Sequence, residues 1–330
     1  MSLSNCDEDL AGRLYPHPNW LQTRLRIDRL IDRYLSLPHL SDRFADLPQQ
    51  FNHPQPRAWQ PICWQNIHRS QIVGLNVEIF LAVLVGAMTV ESPIRGYSEV
   101  SWQYLNRFHQ PMAGFVGGKW AEDGSILELG MWEKEERQHS PALAKIYKEL
   151  TGESLTAKPT RVKPYQPSEC PYQDMYRHGL HRVVTEYGAT CLYLWLVAHS
   201  TNALQQVLVE ILLDEINHMT KFFGFGIWAF AESSGDRLKS SLSKILTSYS
   251  QPRSQVDRST KRIPNPSVEL YHTFGRVMEL VDWQTWHPIS KLELTYTFLR
   301  VMHRLWRWRS TLTPEYLQGL LGTPPCGQDI

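Results

Sequence analysis

Cysteine, surplus charge, long apolar runs and strand signals are all scarce in this 330-residue chain, and each scarcity excludes something. The five cysteines (Cys6, Cys63, Cys170, Cys191, Cys326) form no CxxC pair. That argues against a disulfide framework, a zinc knuckle or a cysteine-ligated cluster, and makes a reducing compartment the simpler setting. Lys and Arg number 34 against 33 Asp and Glu, a formal net charge of +1, so no global field favours nucleic acid or an anionic membrane. The longest apolar run, Ile79 to Val90, is shorter than the roughly 20 residues that span a bilayer. Met1 to Leu10 carries Asp7, Glu8 and Asp9 instead of a basic stretch followed by an apolar one, so no signal peptide is expected. The expectation is a soluble, cytoplasmic protein without a membrane span or a nucleic-acid partner. Gly224 and Gly226 follow an apolar helix rather than the strand a phosphate loop needs, and read as packing or bending positions. No Ser-His-Asp or Cys-His set stands out.

Helical periodicity dominates what is present. Residues 1–69 are rich in Pro, His and Arg, with one amphipathic stretch near Leu21 to Leu35, and are expected to form a helix and an extended arm around the core. From Ser70 to about Phe108 the apolar residues recur at helical spacing, which predicts a first long helix bent near Pro93. Gln110 to Gly124 has the composition of a loop, and Ser125 with Glu128 reads as a capping box opening a second helix that ends before Gly152. A third helix is expected over Asp174 to His199 and, after a tight turn at Ser200, Thr201 and Asn202, a fourth over Ala203 to Glu232. Residues 234–330 read as a helical extension, with an irregular polar piece, helices at Val268 to Asp282 and Ser290 to Ser310, and a short tail. The expected class is all-α: a four-helix core over 70–233 with helical additions at both ends.

Carboxylates and histidines recur on those helices at a telling spacing. Glu91 lies on the first, Glu136 and His139 on the second, Glu186 on the third, and Glu215 and His218 on the fourth. Residues at i and i+3 share a helix face, and di-iron bundles take one Glu from each of two helices and Glu-x-x-His from the other two. These six are therefore the candidate metal ligands. Glu186 and Glu215 stand 15 and 14 residues from Thr201, so on antiparallel neighbours they face each other. With 20 Glu and 13 His in the chain, about one Glu-x-x-His arises by chance. A third instance, Glu269 and His272, opens a later helix without a partner and is assigned to the surface. The other two fall among apolar neighbours such as Leu212, Leu213 and Met219, where an unpaired carboxylate is costly; metal accounts for them better than buried salt bridges. Oxygen and nitrogen donors without thiolate favour iron or manganese over zinc in a dinuclear site, and two iron ions are expected. Near the C-terminus, Phe298, Trp306 and Trp308 beside Arg300, Arg304, Arg307 and Arg309 fit either a docking face for an acidic partner or, more simply, a helix packed on one face.

Around the ligands, from about Trp59 to Phe230, the sequence resembles the soluble acyl-carrier-protein desaturases of the plant stearoyl type. Leu84-Val85-Gly86-Ala87-Met88 followed by Glu91 and Tyr97 resembles that family's first ligand helix. Trp132-Glu133-Lys134-Glu135-Glu136-Arg137-Gln138-His139 is similar to its tryptophan-led Glu-Glu-x-x-His phrase, and Asp214-Glu215-Ile216-Asn217-His218 to its Asp-Glu-x-x-His; Trp59-Gln60-Pro61 looks like a segment preceding its first ligand helix. The resemblance implies a ferritin-like bundle, two iron ions with O2 as co-substrate, and Trp59, Asp214 and His139 as a link carrying electrons to the iron. An acidic residue holding a ligating histidine is also what metal sites generally require. In the family a threonine stands three residues after the third helix's Glu. Here Ala189 occupies that position and Thr190 comes one later, so Thr190 becomes the candidate and oxygen handling is expected to differ. By this resemblance the chain inserts a double bond into a fatty acyl group on acyl carrier protein, takes electrons from a ferredoxin-type donor and forms a homodimer. A hydroxylase or N-oxygenase with the same ligands, and a ferroxidase that builds no storage cage, remain open.

Overall fold

The computed structural model describes residues 17–158, 161–230 and 283–324. Among the described residues the chain is all-α apart from one two-stranded hairpin. The described residues open with three helices, α1 (Trp20–Tyr34), α2 (Leu37–Ala45) and α3 (Leu47–Asn52), where the sequence suggested one. Ser36 caps α2 at the His39 N–H and Pro38 sits in its first turn, both strong start signals. The expected extended arm follows, irregular from His53 to Cys63.

The first long helix is two: α4 (Val77–Glu91) and α5 (Ile94–Asn106), bent by 47° at the break before Ile94. The bend falls at Pro93 as the sequence predicted, while the start is at Val77, because the Asn76 side chain accepts from the Glu78 N–H and caps the helix there. The Gln110 to Gly124 loop is corrected. Gln110–Gly117 is helix α6, its N-terminus capped by His109 Nδ1 on the Met112 N–H. Burial of Met112, Ala113, Phe115 and Val116 overrides the weak helix propensity of Gly114 and Gly117. The capping box is corrected too. Ser125 and Glu128 belong to a hairpin of β1 (Lys119–Trp120) and β2 (Ile126–Glu128), and Glu128 pairs with Lys119 and Lys134. The second long helix then also splits, into α7 (Met131–Glu136) and α8 (His139–Thr151). Gly152 ends α8 at φ 79, the left-handed conformation that glycine adopts at little cost.

Two unbroken 28-residue helices follow, α9 (Pro171–Ala198) and α10 (Asn202–Ala229). The turn between them is tied down from several sides. Buried Arg26 donates to the Ala198 and Ser200 carbonyls, the Thr201 N–H donates to Gln71, and the Val73 N–H donates to His199. A cation on the last carbonyls of a helix complements its dipole. α9 packs along α10, α4 against α8, and α10 also touches α7 and α8. Gly224 is a packing position: a Cβ there would sit 2.3 Å from the Phe44 ring.

Helix α11 (Pro288–Arg309) packs on α9, α1 and α2, and α12 (Pro314–Leu321) occupies part of the expected short tail. Trp308 is buried between Phe44 and Phe223, while Arg300 and Arg304 pair with Asp28 and Asp32 of α1. These two arginines are engaged within the chain, which favours the one-face packing expectation over a docking face. No single described helix is long and apolar enough to cross a membrane; α4 and α5 would pass only as their bent pair. Val268 to Asp282, Glu269 and His272 lie outside the described residues.

Candidate metal centre

All six candidate ligands converge. Glu91 is the last residue of α4, Glu136 the last of α7 and His139 the first of α8, whereas Glu186, Glu215 and His218 lie inside α9 and α10. One ligand atom from each of Glu91, Glu136, His139 and Glu215 lies within 4.8 Å of the others, and the same holds for Glu136, Glu186, Glu215 and His218. Glu136 and Glu215 belong to both groups. The arrangement is that of two adjacent ion sites sharing two carboxylates, each with one further Glu and one His.

The inner donor atoms of the cluster lie close to one another. His139 Nδ1 is 3.3 Å from Glu136 Oε2 and 3.2 Å from Glu215 Oε1, and His218 Nδ1 is 2.9 Å from Glu136 Oε1 and 3.7 Å from Glu186 Oε2. Yet both Nδ1 atoms and Glu215 Oε1 are buried without a hydrogen-bond partner. Two donors about 2.0–2.2 Å from one divalent ion and roughly 90° apart sit about 3 Å from each other, close to three of these four spacings. Charge points the same way, since four buried carboxylates are balanced by two divalent ions with both histidines neutral. Without ions the electrostatics are strained. Burial, and then the neighbouring Glu136 carboxylate, pushes the Glu91 and Glu186 carboxyls up to about 7 each. Burial and Glu136 also raise Glu215 well above the usual range. Burial works to raise Glu136 as well, but His139 and His218 hold it well below, and both histidines are correspondingly raised by the surrounding carboxylates against their own burial. Opposed shifts of this kind are frequent at chemically active sites and occur in structural ion-pair networks as well.

The outer nitrogens of the two histidines are held in matching ways. His139 Nε2 lies 3.3 Å from Asp214 Oδ2, which also accepts 2.7 Å from Trp59 Nε1, and the Trp59 ring lies nearly parallel to the imidazole, 6.2 Å away. Trp59 and His139 are thus joined through the Asp214 carboxylate. His218 Nε2 lies 2.7 Å from Glu135 Oε2. Glu135 was not singled out from the sequence, although it adjoins Glu136 just as Asp214 adjoins Glu215, and that parallel would have found it. Tyr193, seven residues and therefore two turns beyond Glu186, donates 3.0 Å to Glu91 Oε1; that spacing was a usable signal too. Arg182 is buried 3.9 Å from Glu186, with its guanidinium over the Trp132 and Tyr97 rings, and nothing in its local sequence separates it from surface arginines. Thr190 shares a face with Glu186 by its i+4 spacing, and its buried hydroxyl has no hydrogen-bond partner. Ala189, at i+3, is half-buried.

Two small hollows lie beside α9 and α10, the first bordered by Arg182, and both share Gly179, Gly226 and Phe230. Comparisons with family models, curated proteins and solved structures find no match to this chain.

Proposed function

We propose that the protein is a di-iron, O2-dependent oxidoreductase that inserts a double bond into a fatty acyl chain carried on acyl carrier protein. The observation that carries the reading is the donor set: four carboxylates and two imidazole nitrogens, no sulfur, in two overlapping groups with two shared carboxylates. Hard oxygen and imidazole donors suit iron, and two iron ions held side by side would suit O2 better than a closed zinc site would.

Bound iron would supply the O2 chemistry that removes hydrogen from an unactivated methylene, for which amino-acid side chains have no group. The chain's own residues supply the rest. Asp214 and Glu135 fix the histidine rings with Nδ1 inward. Tyr193 orients Glu91, and buried Arg182 offsets part of the carboxylate charge near Glu186. Trp59, half-buried and hydrogen-bonded to Asp214, connects the surface with the His139 side, a route for electrons from a ferredoxin-type donor. The unpartnered Thr190 hydroxyl is available to donate a hydrogen bond or a proton to whatever occupies the space beside Glu186. An apolar chain would be drawn into the bundle by burial of its methylenes.

Purified protein loaded with iron and given saturated acyl carrier protein, ferredoxin, its reductase, reductant and O2 should yield a chain lighter by two hydrogens in mass spectrometry. A hydroxylated chain would keep the site and substrate class and place the difference at Ala189 and Thr190. Rapid oxidation of Fe(II) by O2 with no acyl chain altered under any donor would overturn the desaturase reading in favour of a ferroxidase.

A further inference from the structure

The irregular arm between α3 and α4 holds one residue that touches both sides of the metal centre. The Arg57 backbone N–H donates 2.6 Å to Glu135 Oε1, whose other oxygen holds His218. The Arg57 side chain donates 2.7 Å through Nε to Asp214 Oδ1, whose other oxygen faces His139. Its terminal nitrogens are fixed in turn by the carboxylate and the backbone carbonyl of Glu210. The guanidinium is three-quarters covered, Asp214 is fully buried and Glu210 nearly so. Charge-assisted hydrogen bonds of this kind are among the stronger ones, and a bifurcated guanidinium contact fixes direction as well as distance.

We infer that Arg57 is a positioning residue coupling the two ion sites: through it, one residue of an otherwise irregular arm sets the carboxylates that orient both ligating histidines. The inference rests on reading the cluster as a dinuclear metal centre. Its physical content is in the asymmetry of the contacts. The side chain reaches only the Asp214 side, while the Glu135 side is reached by the backbone. The backbone amide is in place because the side chain is anchored to Asp214 and Glu210. Removing the side chain should therefore loosen an ion site that it never approaches. No described hydrogen bond other than those to Arg57 and His218 is made by the Glu135 carboxylate, so once the arm shifts, Glu135 loses the donor that opposes His218.

Co(II) titration of the full-length apoprotein, followed by calorimetry and visible absorption, tests this, with His139→Ala and His218→Ala assigning the bands of each site. The unaltered protein should bind two Co(II). In Arg57→Ala both affinities should fall, each by about 10–100-fold, the range for loss of residues that orient metal ligands. Asp214→Asn, which alters both the partner of His139 and one anchor of Arg57, should weaken the His139 site most and the His218 site by less. Glu210→Gln, which leaves every ligand and both histidine partners untouched, should weaken both sites in the same direction by less and serves if Arg57→Ala does not fold. Arg57→Lys, with one donor group for Asp214, should recover the His139 site more than the His218 site. Loss confined to the His139 site in Arg57→Ala, or no loss at either, would overturn the coupling role. Failure of the unaltered protein to bind two Co(II) would instead overturn the metal reading beneath it.

Discussion

The two helix pairs that frame the centre present the same ligand types from different kinds of backbone. α9 and α10 are unbroken over 28 residues each and carry Glu186, Glu215 and His218 in their interiors, between a tied-down turn and a buried apolar wall. On the other side Glu91, Glu136 and His139 all stand at helix breaks. There the Gln138 N–H bonds to Glu135, three residues back, in place of the four-residue helical bond. A ligand inside a long helix has its direction set by many backbone hydrogen bonds; a ligand at a break has fewer, and depends more on side-chain partners such as Tyr193 and Asp214. One side of the centre is therefore a rigid wall and the other an adjustable one, and local opening is expected where backbone bonds are sparse.

The comparison breaks most completely at the shared carboxylates. Glu136→Ala should lose both ions, measured as metal content after anaerobic reconstitution, whereas Glu186→Ala should lose mainly the ion grouped with His218. Equal loss in the two variants would deny that Glu136 is shared. Next in size is the effect of pH. Glu91 and Glu186, each with a carboxyl near 7 in the metal-free protein, must lose a proton to bind an ion. Each ion's affinity should therefore rise by about tenfold or more per pH unit below about 7, and keep rising above it while Glu215 and the histidine of that group, which are also raised, give up their protons. The sign for the metal-free fold is opposite: a raised carboxyl pKa contributes stability fully present below about 4.5 and lost as pH rises through about 7. The gain in Tm on adding metal should thus widen from pH 5 to pH 8, and a constant gain would contradict the assignment.

Smaller effects sharpen the contrast. Asp214→Asn should keep both ions in excess metal, bind the His139 ion about 10–100-fold more weakly and slow reduction by an external donor; complete loss of metal would make Asp214 a ligand. Hydrogen exchange of the metal-free protein should be faster at residues 137–139 than at 215–218, with metal narrowing the gap. Smallest is the outer layer, where Arg300→Ala or Arg304→Ala should cost about 0–1 kcal/mol in urea melts, since both pairs with α1 are partly exposed.

The same contrast explains what could be read from sequence. α9 and α10 were legible because Pro171 and the Ser200 to Asn202 turn bracket long apolar periodicity, and their ligands followed from residue type, i+3 spacing and equal distance from that turn. The breaks were half legible: Pro93 announced one, but nothing in Arg137 or Gln138 announced the other. Helix α6 and the hairpin were misread because burial of Met112, Phe115 and Val116 outweighs local glycine content, and because Glu128 finds lysine partners instead of a helix N-terminus. Arg57 was not legible. Its role depends on contacts 78 and 157 residues away along the chain, and no local pattern encodes those.

The central claim is that six residues hold two ions between a rigid and an adjustable pair of helices. Anaerobic reconstitution with Fe(II), followed by metal analysis and Mössbauer spectroscopy, tests it most directly. The account predicts two irons per chain, magnetically coupled after oxidation, and a protein with neither when Glu136 and Glu215 are both replaced by Ala. One zinc or one isolated iron per chain, with no dinuclear signal, would contradict it.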